Sequence, residues 1–313
     1  MCPAAGGADP ATPVTVAVFG PTAIGKTGVV LELADLLRER GDDPVAINCD
    51  AIQVYRGLET ISGAASAEDQ RRLEHRLIGF VPVDREFSAG RYAERAHREI
   101  DGLLAAGRTP ILVGGTGLYL RAALAEIDFR PAVPEALRQE VEAELEREGA
   151  PALHATLPEE FREAIHPNDR KRIARTVELI RDGQTPARDH RGGGELWTAD
   201  LRHPTRLIGL AEDDEPLVAK IDRRVDRMAA DGAEDEVRAA VRAGASRTAR
   251  AAIGFDEFLE GDLDRVKLLH RRYGRRQMTW LRRMEGIDVI DRTGRSDREV
   301  ATGLLALTGP GAA

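Results

Sequence analysis

The chain has 313 residues, with 45 Lys and Arg against 53 Asp and Glu for a formal net charge of −8. That length suits one sizeable core and an appendage, about two domains. With 42% hydrophobic and 31% charged residues, it carries enough apolar surface to offset its ordering entropy, which excludes a wholly disordered chain. Cys2 and Cys49 are too few for a disulfide framework or a tetrahedral metal site, so a cytoplasmic, reducing home is expected. No apolar run reaches the roughly 18 residues of a membrane span, so no membrane partner is expected. The acidic total argues against nucleic acid, unless the cations are clustered.

Residues 1–13 are rich in Ala, Gly and Pro and read as a disordered leader. They have no basic and then apolar stretch, so no secretory signal is expected. VTVAVFG (14–20) is a β-branched run entering a Gly-containing loop, and GKTGVVLELADLLRERG after it has helical periodicity. PVAINCD (44–50) reads as a second buried strand and RLIGFVPV (76–83) as a third. Ser88 is suited to cap a helix reaching about Ala106, with Tyr92, Ala96, Ile100, Leu103 and Leu104 on one apolar face. TPILVGG (109–115) is a further strand, ending in a Gly-rich turn before LYLRAALAEI. Continuously apolar strands alternating with helices predict a parallel sheet covered on both faces.

The pattern changes near Asp128. Residues 134–183 read as almost wholly helical, and the polar, Gly-rich ARDHRGGGELW (187–197) closes that stretch. TRLIGLA (205–211) reads as a returning core strand. Helices follow at about 215–243, 255–260 and 263–284, then a last strand in IDVIDRT (287–293). The expected organisation is a leader (1–13), an α/β core (14–127 and 198–313) and a helical insertion (128–197).

The segment Gly20-Pro21-Thr22-Ala23-Ile24-Gly25-Lys26-Thr27 matches G-x-x-x-x-G-K-[ST] in full, after a strand and opening a helix. Glycines let backbone N–H groups converge on phosphate oxygens, and the helix N-terminus adds partial positive charge. Lys26 supplies a cation, and Thr27 a hydroxyl suited to Mg²⁺. The bland reading is a Gly-rich turn that binds nothing. A di- or triphosphate ligand is the expectation, held either for phosphoryl transfer or as a leaving group. Asp50 ends the second strand, where open α/β sheets gather ligand contacts. It is open as a general base, a strand-end cap or a Mg²⁺ ligand.

Five segments then resemble the tRNA dimethylallyltransferases, isopentenyl-transferring enzymes that modify an adenine beside the anticodon. They are GPTAIGKT, INCDAIQVYRGL, LVGGTGLYL, IHPNDRKRIART and RRYGRRQMTWLRR, spanning residues 18–283 in family order. The resemblance implies a P-loop NTPase-like parallel sheet with an all-helical insertion domain that contacts tRNA. It implies transfer of a dimethylallyl group from dimethylallyl diphosphate to adenine N6. The diphosphate would lie on Gly20, Pro21, Thr22, Ala23, Ile24, Gly25, Lys26, Thr27 and Arg250. Asp50, Lys26 and Thr22 would serve the chemistry, with Mg²⁺ on Thr27. The anticodon stem-loop would meet Asp50, Ala51, Ile52, Gln53, Thr116, Arg138, Lys171, Arg172, Arg175, Arg271, Arg272, Arg275 and Arg276. Thr116 reads equally well as a helix N-cap. Two other readings stay open: an isopentenyltransferase acting on free adenine nucleotide, and a P-loop kinase of nucleosides or small molecules. A monomer is expected.

Two basic stretches oppose the net charge. Residues 170–175 hold Arg170, Lys171, Arg172 and Arg175. Residues 267–283 hold seven cations and no acid, with Tyr273 and Trp280 interleaved. Clustered cations are the footprint of a nucleic-acid site, whereas a small acceptor needs none. The competing reading is a solvated, salt-bridged helix face. His166 and Asn168 or Asp169 are expected to start a helix, His75 and His97 to be surface or packing residues, and Cys49 to be core. The sequence departs from the family pattern at three places: Ala51 replaces Ser, Ser62-Gly63-Ala64-Ala65-Ser66 lacks a lysine, and Ala251 replaces an arginine for which neighbouring Arg250 could substitute if the helix rotates.

Overall fold

The computed structural model describes residues 14–186 and 200–308. The expected leader (1–13) and the Gly-rich loop (187–197) lie outside the described residues. The chain forms two compact units, residues 1–125 with 201–313, and residues 126–200.

The first unit begins with β1 (Thr15–Phe19), α1 (Lys26–Glu39), β2 (Pro44–Asn48), β3 (Tyr55–Arg56), α2 (Glu59–Ser62), α3 (Ala67–Arg72), β4 (His75–Arg76) and β5 (Val81–Pro82). It continues with α4 (Ala89–Ala105), β6 (Thr109–Gly114) and α5 (Gly117–Leu124). The second unit holds α6 (Glu135–Glu148), α7 (Ala150–Ala155), α8 (Glu159–Ala164) and α9 (Arg170–Arg181). The chain returns through β7 (Thr205–Ala211), α10 (Asp214–Ala230), α11 (Ala233–Arg242), α12 (Phe255–Glu260), α13 (Leu263–Arg283), β8 (Asp288–Asp291) and α14 (Asp297–Leu307).

Six strands make one parallel sheet in the order β4-β2-β6-β1-β7-β8. The fold is α/β, as the apolar strand runs predict. β1 and β2 are buried along their whole length, which is what a sheet covered on both faces requires. One core packs α1, through Val29, Val30, Leu33 and Leu37, with Val16, Val18, Ile208 and Leu304. Ser88 caps α4 by accepting from the Arg91 amide, and Tyr92, Ala96, Ile100 and Leu103 are buried on its inner face. The second unit has a core of its own, in which Val141 and Leu145 of α6 meet Leu153, Phe161, Ile173 and Val177. Among the described residues no helix is long and apolar enough to cross a membrane.

The single strand expected over 76–83 is two short ones. Leu77 (φ 63°) and Gly79 (φ 58°) turn the backbone left-handed between β4 and β5, so the extended run cannot continue. β4 joins the main sheet on β2, whereas β5 pairs with β3 in a separate two-stranded sheet. The helix expected over 215–243 breaks at Gly232 (φ 89°) for the same reason. α14 has no counterpart in the sequence reading; a Ser296–Glu299 capping box starts it.

Candidate active site

Parallel strands bring their C-terminal ends to one edge of the sheet, and the register decides which residues meet there. Phe19 of β1 is level with Gly114 of β6, and Val113 with Asn48 of β2. The residues that follow, Gly20, Gly115 and Asp50, therefore leave the sheet side by side. Gly114 is needed for this convergence, because a Cβ there would overlap the Cys49 backbone.

The glycine-rich loop enters α1 at Gly25, which holds φ 88° as the helix N-cap. Lys26 folds back over the loop, and its Nζ donates to the carbonyls of Gly20 and Pro21, both at 2.9 Å. Burial and the neighbouring Arg224 guanidinium push its pKa down to about 7, with Asp50 acting the other way. Arg224 comes from α10, is itself shifted down by burial, and is held by donating to the Ser62 carbonyl at 3.0 Å. Two cations and one carboxylate thus lie close enough to shift one another electrostatically. Thr27 is half-buried in the first turn of α1.

Asp50 organises the turn after β2. Its Oδ1 accepts from the amides of Ile52 (2.9 Å) and Gln53 (3.4 Å), an Asx-type turn. Among the described residues its Oδ2 accepts one hydrogen bond, from the Thr116 hydroxyl at 3.3 Å, so that oxygen keeps accepting capacity. Thr116 sits at the N-cap of α5 without making the side-chain cap bond. Its hydroxyl instead accepts from the Ala51 amide at 3.2 Å, joining the β2 and β6 strand ends. The Gln53 amide nitrogen donates to the Ser62 and Gly63 carbonyls, both at 3.4 Å.

α13 closes one side of this edge. Buried Gln277 accepts from the Thr22 amide at 2.7 Å and donates to the Gly115 carbonyl at 2.8 Å. Tyr273 donates to the same carbonyl at 3.1 Å. A Cβ on Gly115 would strike Gln277, and one on Gly117 would strike Trp280, so the glycines of GGTG make room for this helix. Sequence reasoning missed Arg224 and Gln277. Gln277 left a faint signal as an uncharged polar residue in a cationic helix; Arg224 left none among many surface arginines.

A model of the IPP transferase family matches residues 53–284. A tRNA dimethylallyltransferase of Anaeromyxobacter dehalogenans (strain 2CP-C) is 39% identical, over 87% of this chain and 93% of its own. The chain belongs to the IPP transferase family. A second relative, a tRNA dimethylallyltransferase of Thermobifida fusca (strain YX), is 38% identical over 86% of both chains. The full-length tRNA isopentenylpyrophosphate transferase of Bacillus halodurans superposes with a TM-score of 0.67 at 29% identity, covering 94% of this chain and 96% of that one. A eukaryotic dimethylallyltransferase acting on tRNA shares the fold, with a TM-score of 0.73, 21% identity, and coverage of 94% of this chain and 78% of that one.

The departures from the IPP transferase pattern have structural counterparts. The segment lacking a lysine, Ser62 to Ser66, has a cation beside it all the same, because Arg224 packs on Gly63. Arg250 is exposed, stacks 5.5 Å from the Phe255 ring and donates to the Ala245 carbonyl at 3.2 Å. Among the described residues none of its hydrogen bonds reaches the glycine-rich loop. It lines a cleft with Arg272, Arg276 and Leu269 instead.

The basic segments are only partly free of acids. On α13, Arg271 makes a two-pronged contact with Asp222, and Lys267 pairs with Asp226, so α10 supplies the acids that the segment itself lacks. Arg272, Arg275 and Arg276 are exposed, with Arg276 5.6 Å from the Tyr273 ring. In the second unit, Lys171 and Arg172 are exposed, Arg138 pairs with Glu135, and Arg175 binds Glu178 and the Pro131 carbonyl. Asp169 caps α9 through the Arg172 amide, and His166 Nδ1 accepts from the Asn168 amide, a local structural role. Cys49 is buried and free, its thiol pushed up to about 12 by burial, which fits a core residue.

Proposed function

We propose that the protein transfers the dimethylallyl group of dimethylallyl diphosphate to N6 of an adenine next to the anticodon in tRNA, releasing diphosphate. The observation that carries this reading is the single edge shared by an anion loop with two cations and a turn-held carboxylate that has one oxygen to spare. Membership of the IPP transferase family supports the same reaction class.

In this reading the N6 lone pair forms a bond to the allylic carbon as the carbon–oxygen bond to diphosphate breaks. The electron pair leaves with diphosphate, and the N6 proton passes to Asp50 Oδ2. The amine is a weak nucleophile, so a positioned acceptor assists its attack. Lys26, Arg224 and the loop amides bind the diphosphate and take up charge as it grows on the leaving group. Lys26 must exchange its two carbonyl partners for phosphate oxygens. Thr116 orients Asp50, while Gln53 and the amides of Ala51 and Ile52 border the base.

Mg²⁺ suits this donor set. Among the described residues no cluster of three His, Cys, Asp or Glu side chains forms a protein cage. Mg²⁺ commonly uses one or two protein oxygens together with substrate phosphates and water, and the Thr27 hydroxyl would be such a ligand. Bound there, it would neutralise diphosphate charge.

The exposed arginines of α13 and the cations of α9 support an RNA acceptor over a free nucleotide, since phosphate neutralisation supplies affinity for a polyanion. The test is incubation with labelled dimethylallyl diphosphate, Mg²⁺ and unmodified tRNA, alongside a parallel reaction with AMP. Label on the RNA is the expected result. Label on AMP alone, or phosphate transfer from ATP, would overturn the reading.

A further inference from the structure

An ion pair from the far end of the chain lies against the glycine-rich loop. Arg292 follows β8, and Asp297 opens α14. The Arg292 Nη2 donates to Asp297 Oδ1 at 2.8 Å, and its Nη1 donates to the carbonyl of Ile24, inside the loop. Arg292 is only 8% exposed, and its Nε has no hydrogen-bond partner among the described residues. Burying a guanidinium with one donor unmet is costly. Its charge is offset by Asp297, and among the described residues its hydrogen bond to the loop is to a backbone carbonyl.

That contact has a directional consequence. A trans peptide is planar, so its C=O and N–H point to opposite sides. Holding the Ile24 carbonyl from one side aims the Gly25 N–H to the other. Gly25 then takes φ 88°, a left-handed conformation that glycine adopts without steric cost. Two glycines make the room: a Cβ on Gly25 would overlap the Arg292 guanidinium, and one on Gly28 would overlap the Asp297 carboxylate. Gly28 lies outside the phosphate-binding pattern, so Asp297 is the physical account of that glycine. Both charged residues also lie beyond residue 284, where the family match ends.

We infer that Arg292 is a positioning residue for the diphosphate loop, fixing the Ile24–Gly25 peptide so that the Gly25 amide stays aimed at the ligand. The inference rests on reading this loop as the diphosphate site. It makes the C-terminal segment, β8 to α14, part of what shapes that site.

The experiment compares the full chain with Arg292→Gln, Arg292→Lys and Asp297→Asn. It measures inorganic pyrophosphate binding by calorimetry, KM for each substrate, kcat and the melting midpoint. Arg292→Gln should raise the pyrophosphate Kd and the KM for dimethylallyl diphosphate about tenfold, leaving KM for tRNA within about twofold. Arg292→Lys should recover part of the loss, and Asp297→Asn should cost less, because Arg292 can still hold Ile24. Unchanged pyrophosphate affinity with a lowered melting midpoint in Arg292→Gln would reduce the residue to a structural strut and overturn the inference. Should Arg292→Gln fail to fold, Arg292→Lys carries the test: a pyrophosphate Kd raised severalfold with KM for tRNA unchanged supports the inference, and wild-type affinity overturns it. A wild-type chain that binds pyrophosphate but transfers no prenyl group would sink the proposed reaction while leaving the loop inference standing. A wild-type chain that does not bind pyrophosphate would overturn both.

Discussion

Gln277 accepts the Thr22 amide hydrogen bond at 2.7 Å from 255 positions away in sequence. Its other amide atom holds the Gly115 carbonyl, so one side chain fixes the spacing between the glycine-rich loop and the strand end that carries Thr116. Gln277→Leu removes one of the two donors to the Gly115 carbonyl, leaving Tyr273, and takes the acceptor from the Thr22 amide. It should lower stability by about 1–3 kcal/mol by chemical denaturation. It should also lower kcat/KM for prenyl transfer about tenfold or more, since misplacing reacting groups slows the chemistry. Full activity would mean that the spacing is held by other contacts.

Asp50→Asn separates the proposed proton-acceptor role of Asp50 from its role in the turn. Asparagine retains an oxygen for the Ile52 amide, so the fold after β2 should persist. Turnover should fall about 10²-fold or more in single-turnover assays, with pyrophosphate affinity nearly unchanged. A retained rate would confine Asp50 to its turn.

Lys26, with its pKa lowered to about 7, links diphosphate binding to protons. An anion favours the charged ammonium, so the pKa rises on binding. The Lys26 contribution to pyrophosphate affinity is then constant below about pH 7, where Lys26 is already charged, and falls as pH rises above it. Calorimetry at pH 8 in buffers of different ionisation enthalpy should record net proton uptake. Equal uptake by Lys26→Met would assign it to pyrophosphate instead.

His270 is buried in α13 against the Val266 carbonyl, and burial lowers its pKa to about 4. The unfolded chain, titrating near 6.5, binds the proton first on acidification. Stability therefore falls as pH drops from about 6.5 to 4, and is unaffected by this group above that window. His270→Gln should flatten the pH dependence of the denaturation midpoint in this range. An unaltered slope would place the titrating group elsewhere.

The arginines of α13 should separate in RNA binding. Arg275→Ala with Arg276→Ala removes two exposed cations, and should weaken tRNA affinity and reduce the log–log salt slope by about 2. Arg271→Ala should change that slope less, because Asp222 already holds the guanidinium, and should show its effect in stability. Equal slopes for the two variants would remove the distinction.

Local pattern made much of the fold and the candidate site legible. A buried β-branched run followed by G-x-x-x-x-G-K-T contains its own reason for turning, and Asp50 and Thr116 are readable as strand-end residues because parallel strands end on one side. Local signals also misled where a backbone turn carried no obvious breaker: Leu77 at positive φ split an expected strand in two. The segment with no acid of its own read as a row of unpaired cations, yet Asp222 and Asp226 of another helix pair with two of them.

The sequence by itself determined the alternation of strand and helix, the glycine-rich loop and the family, since each depends on residues within one turn or one strand of each other. Only the tertiary structure decided that Arg224 joins Lys26, that Gln277 ties Thr22 to Gly115, and that Arg292 with Asp297 fills the space left by Gly25 and Gly28. Those partners are close because the sheet and its helices pack together. Side-chain chemistry states what a residue can bind, and packing alone chooses which partner, a hundred or more positions away, stands within reach.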